Sequence, residues 1–262
     1  MSEMLFSFQD LCPFLIICPL AALAGFVDAV AGGGGLISLP AYLIAGVPPH
    51  LALGTNKVMS TLGTCVATWR YIRAGYVNAS LAVCCIPFAF IGSFIGSTLV
   101  LYVSVSYLKI LLLVLLPLTA LFLSKKRALH EADGSSSFMR MLTAGVISSF
   151  LVGMYDGFYG PGTGVFLILA FTLFAHMKLT SANGLTKIIN LTTNVSAACV
   201  FLWHDSVILS LGLTAALFNI AGNYLGSGFF KQKGAEGCRK IMMLVLVIFM
   251  LRVVYDLIIE LV

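Results

Sequence analysis

Apolar residues gather in ten runs along the 262-residue chain. They occupy about residues 11–31, 36–46, 51–72, 79–103 and 107–123, then 139–159, 164–176, 181–203, 207–230 and 238–260. Stretches such as LKILLLVLLPLTALFL and KIMMLVLVIFMLRVVYDLI lack in/out alternation, so the runs predict helices rather than barrel strands. The second run of each five is too short for a full span, which needs about 20 residues. Runs 36–46 and 164–176 therefore predict half-helices or short tilted helices.

The polar stretch SKKRALHEADGSSS (124–137) separates the two sets of five and reads as a linker. The sets repeat each other. VDAVAGGGG (27–35) is echoed by YDGFYGPGTG (155–164), with Asp28 matching Asp156 and Gly32 matching Gly160. Further on, Ala52, Gly54 and Lys57 match Ala182, Gly184 and Lys187. Gly92, Gly96 and Ser97 match Gly222, Gly226 and Ser227. The expected organisation is a first transmembrane repeat (1–123), a cytoplasmic linker (124–137) and a second repeat (138–262), together one transport domain.

Composition sets the class. The chain is 60% hydrophobic and only 10% charged, where soluble domains run near 25% charged. A mean hydropathy of +1.05 over the full length excludes a water-exposed globule. The expected fold is all-α, a polytopic membrane protein with 8–10 transmembrane helices, some short or broken at glycines. The first 56 residues hold no Lys or Arg, so no cleavable signal peptide is expected. Seven cysteines show no CxxC spacing and read as small apolar residues.

Charge then predicts orientation. Lys125, Lys126, Arg127 and Arg140 place the linker in the cytoplasm, and Lys231, Lys233, Arg239 and Lys240 place the loop before the last helix there too. Counting back puts Arg70 and Arg73 inside. The turns at 103–106 and 203–207, and both termini, fall outside. Five passages per half is an odd number, so the halves are expected to be inverted repeats, a transporter signature. Re-entrant short pieces would instead leave about eight spans and remove this argument for inversion.

Candidate chemistry collects at matching places. Gly32, Gly33, Gly34 and Gly35 in one half, and Gly160, Gly162 and Thr163 in the other, interrupt apolar segments ahead of a short helix. A helix N-terminus carries unpaired N–H groups and partial positive charge, and glycines let an anion approach it. Close helix packing is the competing use of such glycines. On the third run of the second half, Asn183, Lys187, Asn190 and Asn194 share one helical stripe. Asn56, Lys57, Ser60, Thr61, Thr64 and Thr68 make a polar stretch in the first half. Such faces line a packed polar core or a water-filled path. The lysines suit an anionic substrate or an ion pair with Asp28 or Asp156. Those aspartates could cap backbone donors, hold the lysines or carry a coupling proton. Gly92/Gly96 and Gly222/Gly226 read as helix-packing pairs, with Asn219 and Asn223 flanking the second pair toward the path. No metal-ligand spacing, nucleophile–base pair or cofactor motif occurs, so neither an enzyme nor a cofactor or metal is expected.

AGFVDAVAGGGGLISLPAYLIAGVPPHLALGTNKV (24–58), with its echo VGMYDGFYGPGTGVF (152–166), resembles the sulfite exporter TauE/SafE family, and within it the YfcA-type bacterial inner-membrane members. The resemblance covers nearly the whole chain. It implies a secondary carrier in the bacterial inner membrane that moves small sulfur-containing anions such as sulfite or organosulfonates, usually outward. Expected partners are that anion, a coupling proton or the membrane potential, and the lipid bilayer, with room for a homo-oligomer and no nucleic acid. The alternatives are a passive anion channel or a carrier of a different small organic anion.

Overall fold

The computed structural model describes residues 8–104, 107 and 137–233, with side chains from Pro13 onward. The predicted runs 107–123 and 238–260 and the linker lie outside the described residues, save the edge residues Tyr107 and Ser137. Eight helices make up the described part. They are α1 (Phe8–Ala31), α2 (Gly35–Ile44), α3 (Pro49–Arg73), α4 (Ala79–Leu101), α5 (Phe138–Phe158), α6 (Thr163–Leu173), α7 (Leu179–Trp203) and α8 (209–233). No strand occurs among the described residues.

The boundaries follow local chemistry. Pro48 and Pro49 open α3, where the missing N–H costs nothing. The Asn78 side chain accepts from the Leu81 N–H at 3.1 Å and caps α4, and Ser137 does the same for α5 through the Arg140 N–H. Among the described residues, four helices are long and apolar enough to cross a membrane: Pro13–Ala31, Ala79–Leu101, Phe138–Phe158 and Leu179–Trp203. By contrast α2 and α6, with 10 and 11 residues, rise only about 15–17 Å, half of a bilayer core. Large apolar side chains on α4, such as Val83, Ile91, Phe94 and Leu99, are exposed. That exterior suits lipid.

Each short helix folds back along its predecessor. Gly34 at the start of α2 lies against Ala24 and Asp28, and Tyr42 near its end packs in one cluster with Ile17 and Ala21. Likewise, Arg140 at the start of α5 bonds the carbonyl of Phe174, just past the end of α6. Thus α1–α2 and α5–α6 are two helical hairpins whose tips are the glycine breaks.

The remaining contacts fix relative directions. Asn219 lies against Ala21, Gly222 against Ala22 and Gly226 against Phe26, so α1 and α8 run parallel. Gly92 lies against Phe150 and Gly96 against Met154, so α4 and α5 run parallel too. A Cβ at Gly92, Gly96 or Gly222 would sit 2.3, 2.0 or 1.9 Å from a carbonyl oxygen of the facing helix. These residues are the predicted packing pairs, and their missing side chains let the backbones touch. α3 and α7 run antiparallel at the centre, with Tyr71 beside Asn183, Thr68 beside Lys187 and Gly54 beside Phe201. One end of the bundle gathers Arg70, Arg73, Arg140, Lys178, Lys231 and Lys233, at the ends of α3 and α8 and the starts of α5 and α7. The other carries His50, His204 and Asp205.

Candidate functional site

The two glycine breaks meet tip to tip. α1 stops at Ala31 because Gly32 turns to a φ of +71°, with its N–H held on the Asp28 carbonyl at 2.7 Å. A Cβ on Gly32 would lie 2.4 Å from the Gly164 Cα, and the Gly164 N–H donates to the Gly32 carbonyl at 3.1 Å. Gly35 faces Pro161 less tightly, where a Cβ would lie 3.1 Å from the Pro161 Cα. Only a backbone without Cβ atoms permits this approach. The N-caps Gly34 and Gly162 receive no side-chain cap. The N–H groups of Gly33, Gly34, Gly160 and Gly162 donate to no acceptor among the described residues. Two of these glycines, Gly34 and Gly160, line a small cavity beside the junction.

Charge enters from the central helices. Lys57 on α3 reaches Asp156 on α5, Nζ to Oδ2 at 2.7 Å, with both side chains only 3% exposed. Lys187 on α7 reaches back to Asp28 on α1, Nζ to Oδ2 at 3.3 Å, and also bonds the Asp28 main-chain carbonyl. The pairing is therefore crosswise, each lysine holding the aspartate of the other half. The Asp156 Oδ1 accepts from the Thr163 hydroxyl at 2.7 Å. Asp28 accepts from the Thr64 hydroxyl at 3.3 Å and the Asn190 amide at 3.5 Å. Two cations and two anions leave the site formally neutral. A Cβ at Gly160, where φ is +96°, would lie 3.1 Å from the Lys57 Nζ, so any side chain there crowds the ion pair.

The cavity has about 30 Å³ of room for the centres of water-sized molecules. One water needs roughly 10–15 Å³ by this measure, so the space suits an ion of a few heavy atoms. Its wall includes Asp28, Gly32, Gly34, Gly35, Asn56, Lys57, Asp156, Gly160, Thr163, Asn190 and Asn194, all singled out from the sequence. The Asn56 side-chain oxygen has no hydrogen-bond partner there. Asn194 donates to Asn190 at 3.4 Å, forming an amide chain that ends on Asp28.

Four sequence candidates lie off the wall. Gly33 and Gly162 sit in the breaks without facing the cavity. Lys187 is fully enclosed. Asn183 is used in packing, donating to the Val30 carbonyl and the Tyr71 hydroxyl. Three further residues join the wall: Ser60, Asn219 and Ser38. Ser60 belongs to the polar face of α3, and Asn219 was marked by its place beside Gly222. Ser38 carried only a weak signal, one hydroxyl in an apolar short helix. Asn223 is turned away, bonded to Asn219. No group of three His, Cys, Asp or Glu that could hold a metal ion occurs among the described residues.

The family description "Sulfite exporter TauE/SafE" matches residues 17–253, which spans both hairpins and both lysines. The chain belongs to this family. A Sinorhizobium relative named "Probable membrane transporter protein ORF9" is 35% identical over 236 residues, covering 90% of each chain. The Escherichia coli (strain K12) relative "Probable membrane transporter protein YfcA" is 34% identical over 237 residues, covering 90% of this chain and 88% of its own. A Haemophilus influenzae relative named "Probable membrane transporter protein" is 32% identical over 233 residues, covering 89% of this chain and 91% of its own. No solved structure matches the chain. As a TauE/SafE member, the chain places its duplicated motif residues at one buried junction.

Proposed function

We propose that this protein is a secondary transporter that exports small sulfur-containing anions, such as sulfite or organosulfonates, by alternating access around the paired breaks. One observation carries the reading. A small, partly open cavity, at the meeting point of two uncapped helix starts, has a lysine ammonium and free amide groups on its wall. Helix N-termini and a buried cation favour an anion there, and the volume limits it to a few heavy atoms. Sulfite has that size and charge, and the family description names it. The relatives' names support transport without naming a cargo.

The proposed transport cycle rests on inverted repeats. Parallel contacts of α1 with α8 and α4 with α5, with α3 antiparallel to α7, support an inversion of α1–α4 onto α5–α8. The basic end of the bundle reads as the cytoplasmic face of a bacterial inner membrane, with both termini periplasmic. Rocking one repeat against the other would expose the cavity alternately to each side.

The test is flux in proteoliposomes loaded with sulfite, sulfoacetate, taurine, thiosulfate or sulfate, under imposed pH and potential gradients. The expected result is saturable movement of at least one sulfur oxyanion. Movement of none under any gradient contradicts the reading.

A further inference from the structure

The two aspartates are held very differently. Asp156 is held tightly, with Lys57 and the Thr163 hydroxyl each at 2.7 Å. Asp28 lines the same cavity, its side chain is 13% exposed, and its carboxylate contacts are long: 3.3 Å to Lys187, 3.3 Å to Thr64 and 3.5 Å to Asn190. Lys187 also has a second anchor that does not depend on the carboxylate, the Asp28 main-chain carbonyl. Neutralising Asp28 therefore leaves Lys187 a hydrogen-bond partner, whereas neutralising Asp156 removes the only acidic partner of Lys57 among the described residues.

The site charge makes this difference consequential. The charged groups around Asp28 are Lys187 from α7, Lys57 from α3 and Asp156 from α5. Gly34, at the N-cap of α2, lies against it, α6 supplies the Thr163 hydroxyl to the cavity, and α8 supplies the amide of Asn219. Empty, the four charges sum to zero. A monovalent anion would leave the buried site at −1, which a low-dielectric setting disfavours strongly. One proton on a carboxylate restores neutrality.

We propose that Asp28 is the proton carrier of this site, taking up one proton as one singly charged sulfur anion binds, while Asp156 stays ionised on Lys57. This inference rests on the transport reading above. The proton comes from cavity water and forms an O–H bond on the Asp28 carboxylate. It returns to water when the anion leaves, so the loaded and empty sites are both neutral. Transport is then electroneutral: it responds to a pH gradient and not to membrane potential, and outward movement of the anion, driven by its own concentration, carries the proton out with it.

The experiment compares sulfite flux in proteoliposomes of wild type and Asp28→Asn. Sulfite's own protonation is the same in every vesicle, so a difference between proteins belongs to Asp28. A pH gradient of one unit sustains about a tenfold difference in accumulation through an electroneutral proton–anion couple. The wild type should show more response to the gradient than Asp28→Asn by about that factor. The variant should gain a response to an imposed potassium diffusion potential that the wild type lacks. If Asp28→Asn fails to fold, Asp28→Asn with Lys187→Gln removes both charges together and should lose the same gradient response. Equal responses of wild type and variant overturn the inference alone, as does wild-type flux that follows the potential. Absence of sulfite flux in the wild type overturns the transport reading with it.

Discussion

The two copies of the Asp–glycine–lysine motif share spacing and differ in where their charges face. In one pair, Lys57 and Asp156 both line the cavity, bound tightly at 2.7 Å. In the other, Asp28 lines the cavity while Lys187 is closed off behind it. The sequence carries the same side chains twice, and packing gives them different surroundings. Of the two lysines, only Lys57 lines the cavity. Lys187 instead ties α7 to the end of α1, through a carboxylate and a main-chain carbonyl, and holds the hairpin tip in place.

The largest effect that separates the copies belongs to the junction beneath them. Gly32→Ala should cost more than about 4 kcal/mol and abolish folded yield, because its Cβ would meet the Gly164 backbone at 2.4 Å and its φ is positive. Gly33→Ala, with only ordinary contacts around it, should leave yield and melting temperature close to wild type. Next comes Lys187→Met, expected to lower stability by about 3–5 kcal/mol through loss of a buried ion-pair partner. A melting curve in detergent reads this, and an unchanged curve would deny Lys187 its tie.

Neutralising the cavity-facing pair together, as Lys57→Met with Asp156→Asn, should largely spare stability, since a buried pair replaced whole is often near neutral. It should weaken sulfite transport by about 10- to 150-fold, the equivalent of about 1.5–3 kcal/mol for a hydrogen bond to a charged group. Wild-type transport in this variant would erase the distinction between the pairs. The smallest effect should come from neutral amides. Asn56→Ala is expected to weaken sulfite affinity about fivefold, in line with about 1 kcal/mol for a neutral hydrogen bond. Asn183→Ala should leave affinity alone and lower the melting temperature instead, because its amide serves Val30 and Tyr71.

Much of this was legible in the sequence because glycine and proline punctuate the chain. The runs 36–46 and 164–176 became Gly35–Ile44 and Thr163–Leu173, each opening at a glycine break. The run 51–72 became Pro49–Arg73, opening at its prolines. Helical spacing also placed Asn190 and Asn194 on one wall. That same spacing put Asn183 and Lys187 on the stripe but could not show what faces them. Tyr71 and the end of α1 occupy that part of the stripe, which only the antiparallel register of α3 and α7 decides. Nor could the sequence choose between Asp28 and Asp156 as partner for each lysine. The crosswise choice follows from hairpin tips that meet at Gly32 and Gly164.

The central claim is that Lys57 and the paired breaks form a saturable anion site that changes sides. Counterflow tests it most directly. Vesicles carrying purified protein are preloaded with unlabelled sulfite and diluted into a trace of radiolabelled sulfite. The expected result is a transient accumulation of label that saturates with sulfite concentration and disappears in Lys57→Met with Asp156→Asn. Label that equilibrates without an overshoot, in proportion to concentration and equally in both proteins, would contradict the account.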